Sequence, residues 1–141
     1  MPDCAFCRIV AGDEPGSVVF EDEASVGFLD NRPLFPGHVL LVPRDHHEAF
    51  WDLPPDLVGS LFANAQLLSV AVRDAMGADG AFVAANNVVS QSVPHFHVHV
   101  VPRVRKDGLR GFFWPRRKYE DEEHLAETAA TIRAEVERRG A

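Results

Sequence analysis

Three histidines at alternate positions interrupt an apolar stretch in the second half of the chain. His95, His97 and His99 alternate with Phe96 and Val98, and a proline stands at each end of the stretch. Successive side chains of a strand point to opposite faces. The pattern therefore predicts a strand with its histidines on one face and its apolar residues in the core. A helix would splay the histidines around its surface, and the prolines also disfavour one.

The remaining apolar and polar positions predict two main helices and further strands. Strands are expected at 16–21, 25–29, 38–42 and 81–85, the third of them apolar throughout. A helix of roughly 20 residues should start near Asp52 and run to Gly77. A short amphipathic helix should precede Gly12, and a helix with acidic residues at its start should close the chain.

The composition is ordinary for a globular protein and argues against a membrane-spanning, secreted or nucleic-acid-binding protein. The 141 residues, with 46% hydrophobic and 25% charged residues, make one domain's worth of chain. No apolar run approaches the ~20 residues that span a bilayer. The first residues lack the features of a signal peptide, so we expect a cytoplasmic protein that does not bind membranes. The net charge of −7 argues against nucleic-acid binding over the whole surface.

Four segments together resemble the histidine-triad (HIT) family of nucleotidyl hydrolases and transferases. The family signature is His-x-His-x-His followed by two apolar residues, as at 95–101. The family's ribose-binding corner resembles residues 28–30 (Phe-Leu-Asp), and its middle strand resembles residues 36–44 (Pro-Gly-His-Val-Leu-Leu-Val-Pro-Arg). Its approach to the triad resembles residues 91–93 (Gln-Ser-Val). These segments follow one another in the family's order.

The resemblance covers about Cys4 to Arg103 and implies a HIT-like α+β fold. That fold has a mostly antiparallel five-stranded sheet and two main helices, and it is commonly paired across a homodimer. We expect one HIT domain over residues 1–141, with its core at 4–103. Residues 104–141 add a basic and aromatic segment and the C-terminal helix.

The resemblance also implies a reaction at the α-phosphorus of a purine nucleotide derivative. It assigns the nucleophile to His97, and a neutral imidazole is a good nucleophile near pH 7. Hydrolysis of a nucleotidyl-histidine would then split one difficult displacement into two. His99 can donate to a phosphate oxygen, Ser92 and Gln91 can add neutral donors, and His95 would be fixed by zinc or hydrogen bonds. The substrate would be a phosphoramidate, an acyl-adenylate or a dinucleoside polyphosphate.

Further positions match nucleotide-binding residues of the family. Asp30 would accept the ribose hydroxyls, although a turn or cap aspartate is the simple alternative. His38 would support the triad through a hydrogen bond, and Asn86 would contact phosphate, although Asn87 is not separated from it by sequence. The base pocket would comprise Phe6, Ile9 and Phe28, for each of which ordinary core packing is the alternative.

The loop before the triad departs from the family pattern. Residues 88–90 look shorter than the usual loop, and Ser90 stands where glycine is common. Glycine there would allow a positive φ or a close backbone approach. The departure leaves the phosphate contacts of this loop open.

Cys4 and Cys7 are the two cysteines of the chain. A thioredoxin-like redox pair would need a preceding strand, and a disulfide is unusual in a cytosolic chain. Cys-x-x-Cys suits half of a tetrahedral zinc site, with two free cysteines as the alternative. The resemblance implies that His46 and His95 complete the site, which predicts a structural zinc on Cys4, Cys7, His46 and His95.

Other interpretations stay open beside the HIT hydrolase. One is a HIT nucleotidyltransferase or phosphorylase, and another is a regulatory protein that binds nucleotides without turnover. A catalytic metal on all three triad histidines is disfavoured, because alternate residues of one flat strand cannot all reach a metal at about 2.0–2.1 Å. The basic segment from Arg103 to Tyr119 would cover a nucleotide, form a local anion site, or pack under the tail or at a dimer seam.

Overall fold

The computed structural model describes residues 3–111 and 114–140. Phe112 and Phe113, part of the predicted basic and aromatic segment, lie outside the described residues. The chain forms two compact units, one ending at Asp107 and the other starting at Gly108. The sheet, the triad and the cysteines all belong to the first unit.

Five strands form one antiparallel sheet in the first unit, which confirms the predicted α+β fold. Every neighbouring pair is antiparallel, and the order across the sheet is β1-β2-β3-β5-β4. The triad segment therefore lies between the middle strand and the edge strand β4. The strands are β1 Val18–Glu21, β2 Ser25–Leu29, β3 Val39–Pro43, β4 Gly80–Ala84 and β5 Val98–Arg103.

In the described residues the first unit contains the helices α1 Ala5–Ala11 and α2 Pro55–Ala75, and the second unit contains α3 Glu122–Arg138. Helix α2 starts at Pro55, within the start signal predicted at residues 52–55. Asp52 belongs to a separate 3-10 turn, Phe50–Asp52, because its carboxylate accepts the Ala49 N–H at 3.1 Å and closes that turn before the helix begins. The short first helix ends at Gly12 as predicted, with Gly12 in the left-handed region at φ 82°.

Apolar residues are buried on both faces of the sheet. On one face, Leu61, Leu68 and other residues of α2 pack against Phe96 and the inward residues of β3 and β5. On the other face, Phe6 of α1 packs with residues of β2 and β3. Strand β3 contributes to both clusters and is buried at every position, as expected of a central strand covered on both sides.

Helix α2 is long and apolar enough to cross a membrane by length and composition alone. Its buried residues, however, face the sheet. Leu61, Ala65, Leu68 and Val72 follow one another at intervals of about one turn and join the core cluster of β3 and β5. Packing within this unit accounts for these apolar residues, whereas Phe62, Leu67 and Val70 are exposed.

Gly37, two residues before β3, adopts a left-handed backbone conformation that is strained for other residues. Its φ is +98°, and a Cβ there would lie 2.7 Å from Met76 Cγ. We expect Gly37→Ala to lower the free energy of unfolding by about 1–2 kcal/mol. Gly59, within α2, has no atom within 4 Å of an added Cβ, so Gly59→Ala should raise stability by about 0.5–1 kcal/mol. Urea unfolding of both variants tests the contrast, and shifts of the same sign would contradict it.

Candidate active site

A cavity of about 830 Å³ opens beside the triad, a size typical of small-molecule sites. Its walls come from α1, the end of β2, β3 and the segment that leads into β5. Seven residues predicted from the sequence line it: Phe6, Ile9, Phe28, Asp30, Ser92, His97 and His99.

Several lining residues were not predicted. Residues 14–17 form part of the wall because the chain passes close to α1, where a Cβ on Gly16 would lie 2.7 Å from Ile9 Cγ2. Asn31 and Arg32 follow Asp30, and Leu40 belongs to the same buried cluster as Phe6. The alternation of side chains along a strand could have indicated that Leu40 faces the cavity. Nothing in the sequence indicated that residues 14–17 form part of its wall.

The triad does not form one continuous strand. The β5 ladder begins at Val98, so His99 is paired in the sheet while His95 and His97 precede it. The reason is local, since the Phe96 N–H donates to the His47 carbonyl at 2.6 Å instead of joining a sheet ladder. The predicted alternation still holds, because Phe96 and Val98 pack in the cluster with α2 whereas His95 and His97 contact Phe6.

The imidazoles of His97 and His99 lie closer together than a strand alone would place them. The ring centroids of His97 and His99 are 5.0 Å apart, against about 6.5–7 Å expected from the strand repeat. Phe6 packs edge-on against His97 with a centroid separation of 5.0 Å. The His97 side chain is 3% exposed, so its ring is surrounded almost entirely by protein atoms.

The hydrogen bond of His97 fixes its tautomer. His97 Nδ1 lies 2.7 Å from the carbonyl oxygen of His95. A carbonyl only accepts, so Nδ1 carries the proton and donates to it. Nε2 is then unprotonated, and its lone pair is the one available for nucleophilic attack.

A chain of hydrogen bonds fixes the tautomer of His99 in the opposite sense. The Leu34 N–H donates to His38 Nδ1 at 3.1 Å, so His38 carries its proton on Nε2. His38 Nε2 in turn lies 2.9 Å from His99 Nδ1 and donates to it. His99 therefore carries its proton on Nε2 and can donate it to a ligand in the cavity.

Burial keeps these imidazoles uncharged. Burial, followed by the neighbouring His97 and His38, lowers the pKa of His99 to about 4. Burial also lowers the pKa of His97 and of His38, although the charge of Asp30 acts in the opposite direction on both. At neutral pH the lone pair of His97 is therefore not blocked by protonation.

Asp30 is held in a turn with one oxygen turned to the backbone. Its Oδ1 accepts the Arg32 N–H at 2.9 Å, and its own N–H donates to the His38 carbonyl at 2.9 Å. The other oxygen, Oδ2, lies 3.8 Å from His38 Nδ1. Since Asp30 lines the cavity, the turn presents a carboxylate acceptor to a ligand.

Gln91 is not among the residues that line the cavity. Its Nε2 donates to the Glu48 carbonyl at 2.5 Å, and its Oε1 accepts the Val88 N–H at 3.1 Å. Both ends of the amide therefore hold neighbouring chain segments together. Its role as a phosphate donor stays a prediction.

The structure separates the two asparagines that the sequence could not. Asn86 Nδ2 donates to the Ser90 carbonyl at 3.2 Å, whereas Asn87 Oδ1 accepts the Phe50 N–H at 2.7 Å. Neither lines the cavity, so phosphate binding by Asn86 also stays a prediction. Ser90 adopts φ +62°, the left-handed conformation that a glycine would take without strain.

Cys4, Cys7, His46 and His95 converge behind the cavity. Cys4 Sγ is 3.4 Å and Cys7 Sγ is 3.5 Å from His95 Nδ1, while Cys7 Sγ is 3.4 Å from His46 Nδ1. All four ligand atoms lie within 4.8 Å of one another. A tetrahedral zinc with ordinary bond lengths places sulfur and nitrogen ligands about 3.5 Å apart, so the cluster has the dimensions of such a site.

His95 is oriented for this cluster by a backbone contact. Its Nε2 lies 2.9 Å from the Pro43 carbonyl and donates to it, which leaves the lone pair on Nδ1 facing the thiols. A ligating histidine usually has its other nitrogen held in this way. His95 is fully buried, so water does not compete for the hydrogen bond that orients its ring.

A protein-family model described as the HIT domain matches residues 11–106, more than half of the chain. The chain belongs to the HIT domain family. The adenosine 5'-monophosphoramidase hnt1 of Schizosaccharomyces pombe is 32% identical over 114 residues, which cover 79% of this chain and 83% of that protein.

Solved structures of the HIT family share the fold. SMU.412c from Streptococcus mutans is 36% identical, with a TM-score of 0.87 over 96% of this chain and 87% of that one. A zinc-bound histidine triad family protein from Mycobacterium smegmatis is also 36% identical, with a TM-score of 0.73 over 92% of this chain and 98% of that one.

The tautomers of the HIT histidines can be read by nitrogen NMR. We expect His97 to be protonated on Nδ1 and both His38 and His99 on Nε2 near pH 7, because each has a partner of fixed hydrogen-bonding sense. Long-range nitrogen–proton correlation spectra distinguish the two forms. His124 in α3 is the control, since it belongs to the other unit. An Nδ1-protonated His99 would contradict the chain of bonds that starts at Leu34.

Proposed function

We propose that this HIT protein is a hydrolase that cleaves at the α-phosphorus of a purine nucleotide derivative through a nucleotidyl-histidine intermediate. One observation carries the proposal. The Nδ1 of His97 is engaged by the His95 carbonyl at 2.7 Å, which leaves Nε2 as the nucleophilic nitrogen of a side chain that lines the cavity. The name of the S. pombe relative, a phosphoramidase of adenosine monophosphate, supports the reaction class.

The lining of the cavity suits the parts of a nucleotide. The base would lie among Phe6, Ile9 and Phe28, where it buries apolar surface. The ribose hydroxyls would donate to Asp30, and the α-phosphate would then lie between His97 and His99. Asn86 and Gln91 would reach this phosphate only through a rearrangement of the hydrogen bonds that now hold their side chains.

The reaction proceeds in two displacements at phosphorus. The Nε2 lone pair of His97 forms a bond to the α-phosphorus while the bond to the leaving group breaks, and the leaving group departs with that electron pair and takes a proton from water. A second water then attacks the phosphorus and loses a proton to the hydroxide left by the first step. The bond to Nε2 breaks, its electron pair returns to the ring, and the nucleoside monophosphate is released. His99 Nε2–H and Ser92 donate to the phosphate oxygens as charge develops on them.

We also propose that Cys4, Cys7, His46 and His95 bind a structural zinc. The sulfur–nitrogen separations and the orienting bond from His95 to Pro43 support this assignment, as does the zinc-bound relative from M. smegmatis. Zinc would supply a closed, four-ligand cross-link. It would join α1, which carries the base-pocket residue Phe6, to the segment that carries the nucleophile.

The remaining parts of the proposal concern assembly and location. Pairing of two copies in a homodimer, a single HIT domain over the whole chain, a cytoplasmic location and the absence of nucleic-acid binding follow from the resemblance and composition. The proposed reaction at His97 does not depend on any of these four properties. Size-exclusion chromatography with light scattering tests the homodimer directly.

Replacing the nucleophile should abolish turnover without unfolding the protein. We expect His97→Ala to lower kcat for adenosine 5'-phosphoramidate by at least about 10³-fold, while His124→Ala in α3 leaves it unchanged. A substrate labelled at the α-phosphate should label wild type in a rapid acid quench but not His97→Ala. Turnover that survives in His97→Ala would contradict the mechanism, and nucleotide binding without turnover by wild type would favour a regulatory protein.

The identity of the second acceptor separates hydrolase from phosphorylase. In buffer with inorganic phosphate we expect the monophosphate to remain the product, because water is the proposed acceptor. Chromatography of the nucleotide product measures the outcome. A nucleoside diphosphate that increases with phosphate concentration would instead show nucleotidyl transfer.

Zinc removal should lower stability in a manner that depends on the cysteines. We expect about one zinc per chain by elemental analysis, bound by two sulfur and two nitrogen ligands in X-ray absorption spectra. A strong chelator should lower the Tm of wild type, because metal-binding free energy is also folding free energy. The Cys4→Ser, Cys7→Ser double variant should contain no zinc, and its Tm should not respond to the chelator. A chelator response that persists in this variant would contradict the assignment.

A further inference from the structure

Both sulfurs of the candidate metal cluster belong to one short segment. Cys4 caps α1 and Cys7 lies in its first turn, whereas His46 follows β3 and His95 precedes β5. Cys7 Sγ lies 3.4 Å from His46 Nδ1, and Cys4 Sγ lies 3.4 Å from His95 Nδ1. These contacts join α1 to two other parts of the first unit. A reaction between the two sulfurs would therefore break both contacts together.

The two sulfurs lie close enough to react with each other. Cys4 Sγ accepts the Cys7 N–H at 3.4 Å, and the two sulfurs are within 4.8 Å of each other. Neither residue forms a disulfide in this structure. A disulfide would bring the sulfurs to about 2.05 Å, so both side chains would turn toward each other and away from the imidazoles that they now face.

The two thiols differ in their access to solvent. Cys4 is 8% exposed, whereas Cys7 is partly exposed. Redox-sensitive pairs commonly combine an accessible thiol that reacts first with a neighbouring thiol that resolves the product as a disulfide. The chain contains two cysteines, so a disulfide within one chain joins this pair. A transient disulfide of this kind is also compatible with a reducing compartment.

Phe6 connects this pair of thiols to the nucleophile. It lies between the two cysteines in the sequence, is 7% exposed and lines the cavity. Its ring packs edge-on against His97 and Phe28, with centroid separations of 5.0 and 5.3 Å, and against His95 at 5.9 Å. A rearrangement of residues 4–7 therefore reaches the proposed base pocket and the His97 ring through direct contacts.

We propose that Cys4 and Cys7 form a thiol-oxidation site, at which a peroxide joins the two sulfurs in a disulfide and so loosens the contact of α1 with the nucleophile. The site goes beyond the proposed function, because it regulates the cavity and does not define its reaction. It rests on the proposed function only where nucleotide binding is measured. The sulfur geometry does not depend on a bound metal, although zinc held by both thiolates would be released on oxidation.

The oxidation consumes one hydrogen peroxide for each chain. The Cys7 sulfur attacks one peroxide oxygen, the O–O bond breaks, and the other oxygen leaves as water with the thiol proton, which gives a sulfenic acid. The Cys4 sulfur then attacks the Cys7 sulfur. The S–S bond forms, the S–O bond breaks, and the oxygen leaves as a second water with the Cys4 proton. Each sulfur loses one electron, and the peroxide gains two. Where both sulfurs hold zinc, the two protons come from solvent.

Mass spectrometry of the intact chain tests the disulfide. Wild type treated with a small excess of hydrogen peroxide should lose the mass of two hydrogen atoms, and peptide mapping should link Cys4 to Cys7. A chelating dye should detect the release of about one zinc per chain, and dithiothreitol should reverse the mass change. Peroxide that instead adds oxygen to either sulfur, or leaves both as thiols, would overturn the proposal.

Two further measurements test the coupling to the cavity. The nitrogen NMR signals of His97 should shift on oxidation and return with dithiothreitol, while those of His124 in α3 stay unchanged. The calorimetric Kd for adenosine monophosphate should rise about tenfold, as expected for a weakened aromatic contact with the base. A disulfide that leaves either the His97 signals or this Kd unchanged would overturn the coupling.

Cys7→His is the matched control. One sulfur and three nitrogens still suit a tetrahedral zinc, but the variant cannot form a disulfide within the chain. Its zinc content, His97 signals and Kd should not respond to peroxide. A response that persists would overturn the proposal, because it would come from another oxidisable group such as Met76, which is 48% exposed. If the variant takes up no zinc, its His97 signals before and after peroxide make the same comparison.

The readouts keep this proposal apart from the two before it. If wild type does not bind adenosine monophosphate, the proposed function fails, and the disulfide and the His97 signals still decide the oxidation site. If wild type contains no zinc, the zinc assignment fails, and the same two readouts decide.

Discussion

His95 bonds in three directions, and the arrangement of the candidate site depends on it. Its Nε2–H donates to Pro43, its Nδ1 faces the thiols of Cys4 and Cys7, and its carbonyl accepts the Nδ1–H of His97. A ring flip would leave a buried polar group without a partner, at a cost of about 1–3 kcal/mol. The candidate metal cluster and the orientation of the His97 ring are therefore parts of one hydrogen-bonded unit.

A backbone amide determines which nitrogens of His38 and His99 are protonated. The Leu34 N–H can only donate, so it decides which nitrogen of His38 is protonated and, through His38, which nitrogen of His99 is. Side-chain hydrogen bonds between two histidines are otherwise ambiguous in direction. Burial adds to this order, since it keeps the rings uncharged and excludes water that would compete for the same nitrogens.

The sequence predicted features that depend on local periodicity and residue chemistry. Alternation correctly placed Phe96 and Val98 in the core, and a helical repeat correctly placed α2. It could not predict that the Phe96 N–H bonds to His47 instead of the sheet, because that contact joins segments far apart in the chain. It also missed residues 14–17 as part of the cavity wall and the 3-10 turn before α2, although the contacts there are local.

The loop before the triad shows how a short connection changes the chemistry around it. Its backbone turns through left-handed conformations at Val88 and Ser90, and the amide of Gln91 satisfies backbone groups within the turn. The Gln91 side chain, engaged in this way, is not among the residues that line the cavity, whereas Ser92 and His99 are. In the proposed reaction, His99 would therefore donate to the phosphate with the Nε2–H that its fixed tautomer provides, without help from the amides of Asn86 and Gln91 in their present hydrogen bonds.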